Sequence, residues 1–572
     1  MSEQPRLPAV LGARRRRLLL VRLIGYGIAQ AIATLAFAFI VRSAFDLLAG
    51  IDSPASLPTA LDAGGLFLLV AVLSAGLRRA ELVDSEKLGQ GYVHHARISL
   101  FRHMLKVSSR DLMRLGTGLL MVRFVGDLSA LRRWASLGLA RLVVSGLALA
   151  LSLGALLVMV PPVGAAVCAA ILVSAILSAQ IGPRLEAATS KARHHRGQLA
   201  ARLNDRIANL PVVDAFGQGQ REERNVRRLS NRLRRALVDR ARAAGWLRAI
   251  ADGAASLAQG TALVVGAATA AATGGGVSSV AAAMVVAGIL APRVRELSRV
   301  YEYRTAARVA SRKIDRFLAI PIRPAGGRQR LSKAAAGGPL VIDSLRYGDV
   351  LQGITATAEA ASRIAIVGPN GSGKTSLLLL IAGLIPADGG RISLGGVDIA
   401  TLRHRHRRRH FALVGPDFPL LRGSLRMNVT YGSAVDGADR ERLMALCGID
   451  RIADKLPRGL MTRITDGGNN LSAGERARIA LCRALLRRPS ILLLDEPEAN
   501  FDAMATGALN EAINGFGGIV LRVTHNRRQA LGADRIWHLA GGRLIEAGPP
   551  SLLLASDGAT ARLFSPSIIE AA

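Results

Sequence analysis

The hydrophobic residues of this chain are concentrated in six apolar runs within its first half. The runs approach or exceed the roughly 20 residues that cross a bilayer as a helix. They are apolar on every side, whereas the helices of a soluble domain carry one apolar stripe. We therefore predict six transmembrane helices, over Leu18–Val41, Leu61–Leu77, Leu142–Met159, Val163–Ile181, Ile250–Ala272 and Val277–Ala291.

The segments between these runs differ in charge. The two long connections, residues 78–141 and 183–249, hold 28 Lys and Arg against 11 Asp and Glu. The loop from Ser43 to Gly64 has three aspartates and no Lys or Arg. Because basic segments stay on the cytoplasmic side of a membrane, we predict that both termini and both long connections are cytoplasmic. We expect the connections to form helices that extend from the membrane.

The composition supports a membrane protein over a nucleic-acid binder. The chain has 572 residues, a formal net charge of +34 and a mean hydropathy of +0.30. Such a charge first suggests a nucleic-acid partner, but the basic residues cluster between the apolar runs, so we predict a lipid bilayer as the partner and no nucleic acid. Cys168, Cys447 and Cys482 lack metal-ligand spacing and are predicted to be packing residues.

A glycine-rich segment in the last third of the chain predicts a phosphate-binding loop. Ile364–Val367 is typical of a strand and Thr375–Ala382 of a helix, and Gly-Pro-Asn-Gly-Ser-Gly-Lys-Thr lies between them. Such a loop surrounds phosphates with backbone N–H groups, its lysine reaches the β- and γ-phosphates, and its threonine offers a hydroxyl to Mg²⁺. The predicted nucleotide contacts here are Gly368, Asn370, Gly371, Ser372, Gly373, Lys374, Thr375 and Ser376.

Two adjacent carboxylates are the candidate metal ligand and base. Asp495 and Glu496 follow the apolar residues Ile491–Leu494, which predict a buried strand. Asp495 suits the shell of Mg²⁺, directly or through water. Glu496 would point past the metal and polarise the water that attacks the γ-phosphate.

A further motif carries a family resemblance. Leu471-Ser-Ala-Gly-Glu475 is similar to the signature motif of ABC transporters, and the chain as a whole resembles an exporter-type half-transporter of that superfamily. The resemblance implies ATP as the nucleotide and an obligate pair of nucleotide domains. It also implies that Ser472 and Gly474 contact the ATP held by the opposite subunit.

The same resemblance implies roles for three more residues. Tyr347 matches the aromatic residue that stacks on adenine, and His525, at a strand end, matches the histidine that bonds the γ-phosphate. Asp502 corresponds to an aspartate of the loop that follows the catalytic glutamate. An ordinary half-buried tyrosine is the alternative for Tyr347.

The chain departs from the family pattern at several positions. Pro416 stands where members usually carry glutamine, so coupling through that loop is in doubt unless Asp417 substitutes. Glu475 replaces a glutamine and adds negative charge near the phosphates. The basic run Arg403–His410 is interpreted as a solvated surface, with contact to anionic lipid headgroups as the alternative.

These observations predict a polytopic α-helical membrane domain with six transmembrane helices, followed by an α/β P-loop ATPase domain. The expected domains are a cytoplasmic segment, the membrane domain, a linker and the nucleotide domain, over residues 1–17, 18–320, 321–338 and 339–572. We expect a multi-pass protein of the plasma (inner) membrane that exports an unidentified hydrophobic, lipid-like or peptide substrate. The expected partner is a second copy, with a heterodimer as the alternative. The rival function is a non-transporting or regulatory membrane ATPase with weakened coupling.

Overall fold

The structure, a computed structural model, forms two compact units that are described separately. The helical unit comprises the described residues within 7–107 and 111–321, and the nucleotide unit comprises those from residue 322 onward. The residues that the structure describes are 7–48, 57–108, 111–112, 115, 117–273, 277–322, 327, 329–415, 419–433, 437–465, 467–497 and 503–565.

The helical unit is built from long helices with a few short ones between them. The long helices are α1 (Arg14–Leu48), α2 (Leu57–Met104), α5 (Ala140–Met159), α6 (Pro161–Ala208), α8 (Gly219–Thr273) and α9 (Val277–Leu318). The short helices are α3 (Thr117–Met121), α4 (Leu128–Arg133) and α7 (Leu210–Ala215), and π-helical turns at Val122–Asp127 and Trp134–Leu139 flank α4. Each of the six predicted apolar runs lies within a different long helix, which confirms their helical character.

Four helical segments are long and apolar enough to cross a membrane, judged by length and composition over the described residues. They are Arg14–Asp46, Val122–Met159, Pro161–Ala208 and Gly219–Ala272. The predicted runs in α2 and α9 are not among these four. Both runs are shorter than the roughly 20 residues of a typical span, and charged residues follow closely. The count of six spans therefore stays a prediction.

Small side chains allow the long helices to pack closely. One buried cluster combines alanines of α1, α8 and α9, such as Ala38, Ala258 and Ala287, with leucines and valines of α5 and α6. In lipid, close packing of this kind drives helix association because the hydrophobic effect between helices is lost.

A polar network joins four helices of this unit. The buried Arg293 of α9 donates to Gln30 of α1 and, over 3.4 Å, to Ser145 of α5. Gln30 Nε2 donates to Glu81 of α2 at 2.8 Å, and the Ser145 hydroxyl donates to Glu296 of α9 at 2.5 Å. A buried guanidinium is tolerated only where oxygen acceptors surround it, so this network sets how the four helices meet.

The nucleotide unit contains two main sheets. The larger has the strand order β12-β11-β3-β10-β9-β6, in which all neighbours are parallel except the β11–β12 pair. These strands are β3 (Arg363–Val367), β6 (Phe411–Val414), β9 (Ile491–Asp495), β10 (Ile519–Val523), β11 (Arg535–Ala540) and β12 (Arg543–Gly548). The smaller, antiparallel sheet has the order β2-β1-β4-β5, from β1 (Leu340–Tyr347), β2 (Leu351–Ala358), β4 (Gly389–Leu394) and β5 (Val397–Asp398).

Helices and one short ribbon complete this unit. The ribbon pairs β7 (Gly423–Ser424) with β8 (Arg463–Ile464). The helices are α10 (Lys333–Ala336), α11 (Lys374–Ile381), α12 (His404–His410), α13 (Leu425–Val429), α14 (Ala438–Leu446), α15 (Ile449–Asp454), α16 (Ala473–Leu485), α17 (Ala503–Asn514), α18 (Arg527–Leu531), α19 (Pro550–Ala555) and α20 (Ala559–Leu563). Single 3₁₀ turns occur at Ile399–Thr401 and Gly459–Met461.

The strands of the larger sheet follow from their composition. Every residue of β9 and β10 is buried, as expected for parallel strands covered on both faces. The predicted strand before the phosphate loop and the predicted helix after it are both present. Because parallel strands align their carboxyl ends, the loops after β3, β9 and β10 meet at one edge of this sheet.

Candidate functional site

The glycine-rich loop connects β3 to α11. It requires glycine at two positions where its backbone lies close to neighbouring residues. Gly368 has a φ of +144°, and a Cβ there would lie 2.0 Å from the carbonyl oxygen of Leu539. Gly373 has a φ of +97°, and a Cβ would lie 2.5 Å from Leu351 Cδ2. Any side chain at either position would push the loop away from its neighbours and change where its N–H groups point.

Lys374 begins α11 and turns back into the loop. Its Nζ donates to the carbonyl oxygens of Gly368 at 2.9 Å and Pro369 at 3.0 Å. Burial lowers the pKa of Lys374, while the carboxylates of Glu496 and Asp495 act in the opposite direction. The ammonium group thus lies at the centre of the loop, where a phosphate would offset its desolvation.

Ser372 provides an independent sign that the loop accommodates a polar ligand. Its hydroxyl is buried and has no hydrogen-bond partner among the described residues. A buried hydroxyl without a partner is costly, and a phosphate oxygen would satisfy it. Asn370 and Gly371 form the exposed tip of the loop, and Ser376 is half-buried in the first turn of α11.

The carboxyl end of β9 lies beside the first turn of α11. The Thr375 hydroxyl donates to Asp495 Oδ1 over 3.3 Å. One hydroxyl and one carboxylate fit Mg²⁺, which usually takes one or two protein oxygens together with phosphates and water. No group of three or more His, Cys, Asp or Glu side chains that could hold a metal occurs among the described residues. A metal at Thr375 and Asp495 would therefore need the phosphates of a nucleotide to complete its shell.

Glu496 and His525 lie in two neighbouring loops at this edge of the sheet and contact each other. Glu496 follows β9 and His525 lies two residues beyond β10, and His525 Nε2 is 3.0 Å from Glu496 Oε1. Glu496 has a φ of +44°, an unusual conformation for a residue with a side chain. Both side chains are about half exposed, at 42% and 46%, so a water or phosphate can reach them.

Tyr347 lies near the phosphate loop, at the end of a strand of the smaller sheet. It ends β1, is 7% exposed and belongs to the core between the two sheets. It pairs with Leu351, which lies beside Gly373 of the phosphate loop. The residue is therefore close to the loop, and its contact with adenine stays a prediction.

The signature segment caps a helix. Ser472 is the N-cap of α16 and its hydroxyl accepts from the Glu475 N–H at 3.2 Å, while Glu475 Oε2 accepts from the Ser472 N–H at 2.9 Å. This reciprocal pair is a capping box. The Glu475 carboxylate therefore lies at the N-terminus of α16, where a glutamine can form the same capping box. Gly474 is buried in the first turn.

Three of the predicted coupling residues, Pro416, Asp417 and Asp502, lie outside the described residues. Sequence reasoning missed Asn428, which is fully buried and holds the loop after Pro416. Its side chain accepts from the Leu421 N–H and donates to the Leu421 carbonyl, both at 2.8 Å. A single amide within the short helix α13 was the available signal.

Comparison with known families matches both halves of the chain. Residues 351–499 match the ABC transporter model, and residues 20–291 match the ABC transporter transmembrane region. The structure of a bacterial Atm1-family ABC exporter with ATP bound superposes with a TM-score of 0.85 at 22% identity over 98% of each chain. At that identity the likeness concerns the fold alone.

Two curated relatives extend the comparison. An ATP-dependent lipid A-core flippase of Ralstonia nicotianae is 30% identical over 400 residues, which are 68% of this chain and 67% of the flippase. A mycobactin import ATP-binding/permease protein of Mycolicibacterium thermoresistibile is 37% identical over 265 residues. That match spans 45% of this chain and about half, 46%, of the length of the relative.

Proposed function

Because this chain belongs to the ABC transporter family, we propose that it is a half-transporter that couples ATP hydrolysis to the export of a hydrophobic, lipid-like or peptide substrate. The family membership supports the transport activity, and the site residues and the substrate class are further parts of the proposal. Of the relatives, the Ralstonia protein is named a lipid flippase and the Mycolicibacterium protein an importer of mycobactin. The name of the Ralstonia protein supports a lipid-like substrate.

The proposed hydrolysis uses residues of one sheet edge. Lys374 and the loop N–H groups would bind the β- and γ-phosphates, and Thr375 and Asp495 would hold Mg²⁺, which supplies charge neutralisation when bound. Glu496 would orient the attacking water and take its proton. His525 would hold the γ-phosphate and keep Glu496 in place.

The observation that most supports these roles is the convergence of three loops. The Thr375–Asp495 contact of 3.3 Å joins residues 120 positions apart in the chain, and the Glu496–His525 contact of 3.0 Å joins residues 29 positions apart. Four polar side chains with complementary functions at one edge fit a phosphoryl-transfer site better than scattered surface charge.

We propose that two copies of the chain form two equivalent sites. Each site would pair Lys374, Asp495 and Glu496 of one copy with Ser472 at the N-terminus of α16 of the other, because a helix N-terminus favours a phosphate. The chain retains both the glutamate and the histidine, so a homodimer is favoured over a heterodimer with another half-transporter.

The test is to express this chain alone, measure its mass in nanodiscs and assay ATP hydrolysis. A stable dimer that hydrolyses ATP is expected. A monomer, or an inactive dimer rescued only by a second half-transporter, would refute the homodimer.

The proposed orientation places both termini and the nucleotide unit in the cytoplasm of a plasma (inner) membrane. The basic connections support it, since 28 of their charged residues are Lys or Arg and 11 are Asp or Glu.

A non-transporting membrane ATPase is the second candidate. Pro416 favours it, because proline lacks the side-chain amide that members of the family usually carry there. Lipid and metabolite analysis of a deletion strain separates the two. Accumulation of an amphipathic compound, which also stimulates ATP hydrolysis by the protein in liposomes, is expected of a transporter. Neither effect is expected of a regulatory ATPase.

A further inference from the structure

A large cavity in the nucleotide unit lies at the edge of the sheet opposite the catalytic loops. It has a volume of about 1290 Å³. Four of its lining residues lie just before strands of the larger sheet. They are Ala361 before β3, His410 before β6, Ser490 before β9 and Gly518 before β10. The phosphate loop, Glu496 and His525 instead follow the carboxyl ends of these strands. The amino-edge cavity, as we call it, is therefore separate from the proposed ATP site.

Cationic side chains converge on the amino-edge cavity from four elements. Lys333 of α10, Arg409 of α12, Arg442 of α14 and Arg488, just after α16, all line it. One acidic residue of the lining, Asp439, is already paired with Arg488. The positive charge of the other three side chains faces only one further carboxylate of the lining, that of Glu511.

Two histidine side chains, those of His406 and His410, also line the cavity. The rings of His406 and His410 lie 6.5 Å apart with an angle of 24° between their planes. His410 bonds Ser490 Oγ over 2.9 Å, whereas His406 Nδ1 is buried and has no hydrogen-bond partner among the described residues. Burial, followed by the charges of His406 and Arg409, lowers the pKa of His410.

The lining also contains apolar side chains, beside the polar Ser490, Glu511 and Asn514. Leu443, Leu446 and Phe516 line the cavity. The volume exceeds the range of about 300–1,000 Å³ that is common for small-molecule sites, so an isolated phosphate ion would leave most of it unfilled. From the basic run Arg403–His410, the exposed Arg409 and the half-buried His406 and His410 line this cavity.

We propose that the amino-edge cavity binds a phosphate-bearing molecule with an apolar body, at Lys333, Arg409 and Arg442. Guanidinium groups match phosphate oxygens in charge and in planar geometry, and the leucines and Phe516 would cover the apolar body. The phosphate can belong to a soluble metabolite or to the headgroup of an anionic lipid.

The experiment measures the binding of inorganic pyrophosphate to the full-length chain by isothermal titration calorimetry in phosphatidylcholine nanodiscs. The Lys374→Ala background removes the contribution of the phosphate loop. Saturable binding is expected, and Arg409→Gln is expected to weaken it about tenfold or more, as for the loss of a charged hydrogen bond. Arg405→Gln is the matched control, since it makes the same change on α12 at a residue outside the lining, and it should leave the affinity within about twofold.

A second lipid composition distinguishes the two sources of the phosphate. If the natural ligand is soluble, pyrophosphate binds equally in nanodiscs that contain phosphatidylglycerol. If it is a headgroup, phosphatidylglycerol competes and weakens the binding. Absence of saturable binding in phosphatidylcholine, or equal effects of Arg405→Gln and Arg409→Gln, would overturn the proposal. Arg442→Gln replaces Arg409→Gln if that variant has a lowered unfolding temperature. The measurement does not involve ATP hydrolysis, so its result is independent of the proposed transport function.

Discussion

Replacement of Glu496 by glutamine isolates the chemistry of the proposed base from the structure around it. The amide is nearly identical in size, and its oxygen can still accept from His525 Nε2 across the present 3.0 Å. Both side chains are about half exposed, so the substitution buries no unsatisfied group. We therefore expect the free energy of unfolding to change by less than about 0.5 kcal/mol.

The effect on turnover should be far larger, because an amide cannot take a proton from the attacking water. General-base catalysis contributes a factor of roughly 10²–10⁴, which corresponds to about 2.7–5.4 kcal/mol of activation free energy. ATP binding depends on the phosphate loop, Lys374 and Thr375, and should persist. The variant is expected to accumulate as a closed, ATP-bound dimer.

The assay compares steady-state ATP hydrolysis and ATP retention of the wild type and the Glu496→Gln variant in nanodiscs. Glu441→Gln is the matched control, because Glu441 is an exposed residue of α14 away from the site. The control should keep wild-type activity. Loss of a general base should slow hydrolysis at least about 10²-fold. A rate of Glu496→Gln above roughly a tenth of the wild-type rate would therefore show that another group performs the main proton transfer.

Three further predictions concern topology, packing and pH. In a cysteine-free background, Pro162→Cys should react with an impermeant thiol reagent from outside and Gln218→Cys only from inside; the reverse pattern would overturn the orientation. Gly164→Ala should destabilise the helical unit by about 1–3 kcal/mol, since its Cβ would lie 2.6 Å from the backbone Cα of Leu157, whereas Gly197→Ala meets open space and should not lower the unfolding temperature. Burial lowers the pKa of His538, so the unfolded state binds more protons and stability should fall as the pH drops below about 6.5; the fall should be smaller in His538→Gln, and an unchanged pH profile would contradict this.

Local features of the sequence were sufficient for much of the nucleotide unit. The phosphate loop needs a strand before it, glycines within it and a helix after it, and all three are consecutive in the chain. The buried strand before Asp495 is equally local, because a run of apolar residues that ends in acids predicts both the strand and its exposed end. The helical nature of the six apolar runs follows from their length and composition in the same way.

Contacts between distant segments were not accessible from the sequence. In the sequence, the arginines of the basic run Arg403–His410 cannot be distinguished from one another. The folded unit shows that Arg409 lines a cavity and that Arg405 does not. The buried network around Arg293 joins α1, α2, α5 and α9, and no spacing in the chain predicts that Gln30 and Ser145 would meet it.

The sequence by itself determined the class of this protein, a membrane-spanning helical domain joined to a P-loop ATPase domain, because that class is written in local periodicity and short motifs. The tertiary structure decided how the site is assembled: that Thr375 reaches Asp495 and that Glu496 reaches His525. The physical reason is that helix and strand preferences act over a few residues, whereas hydrogen bonds between loops depend on the strand order of the sheet. That order is fixed by packing of the whole unit, and no short segment contains it.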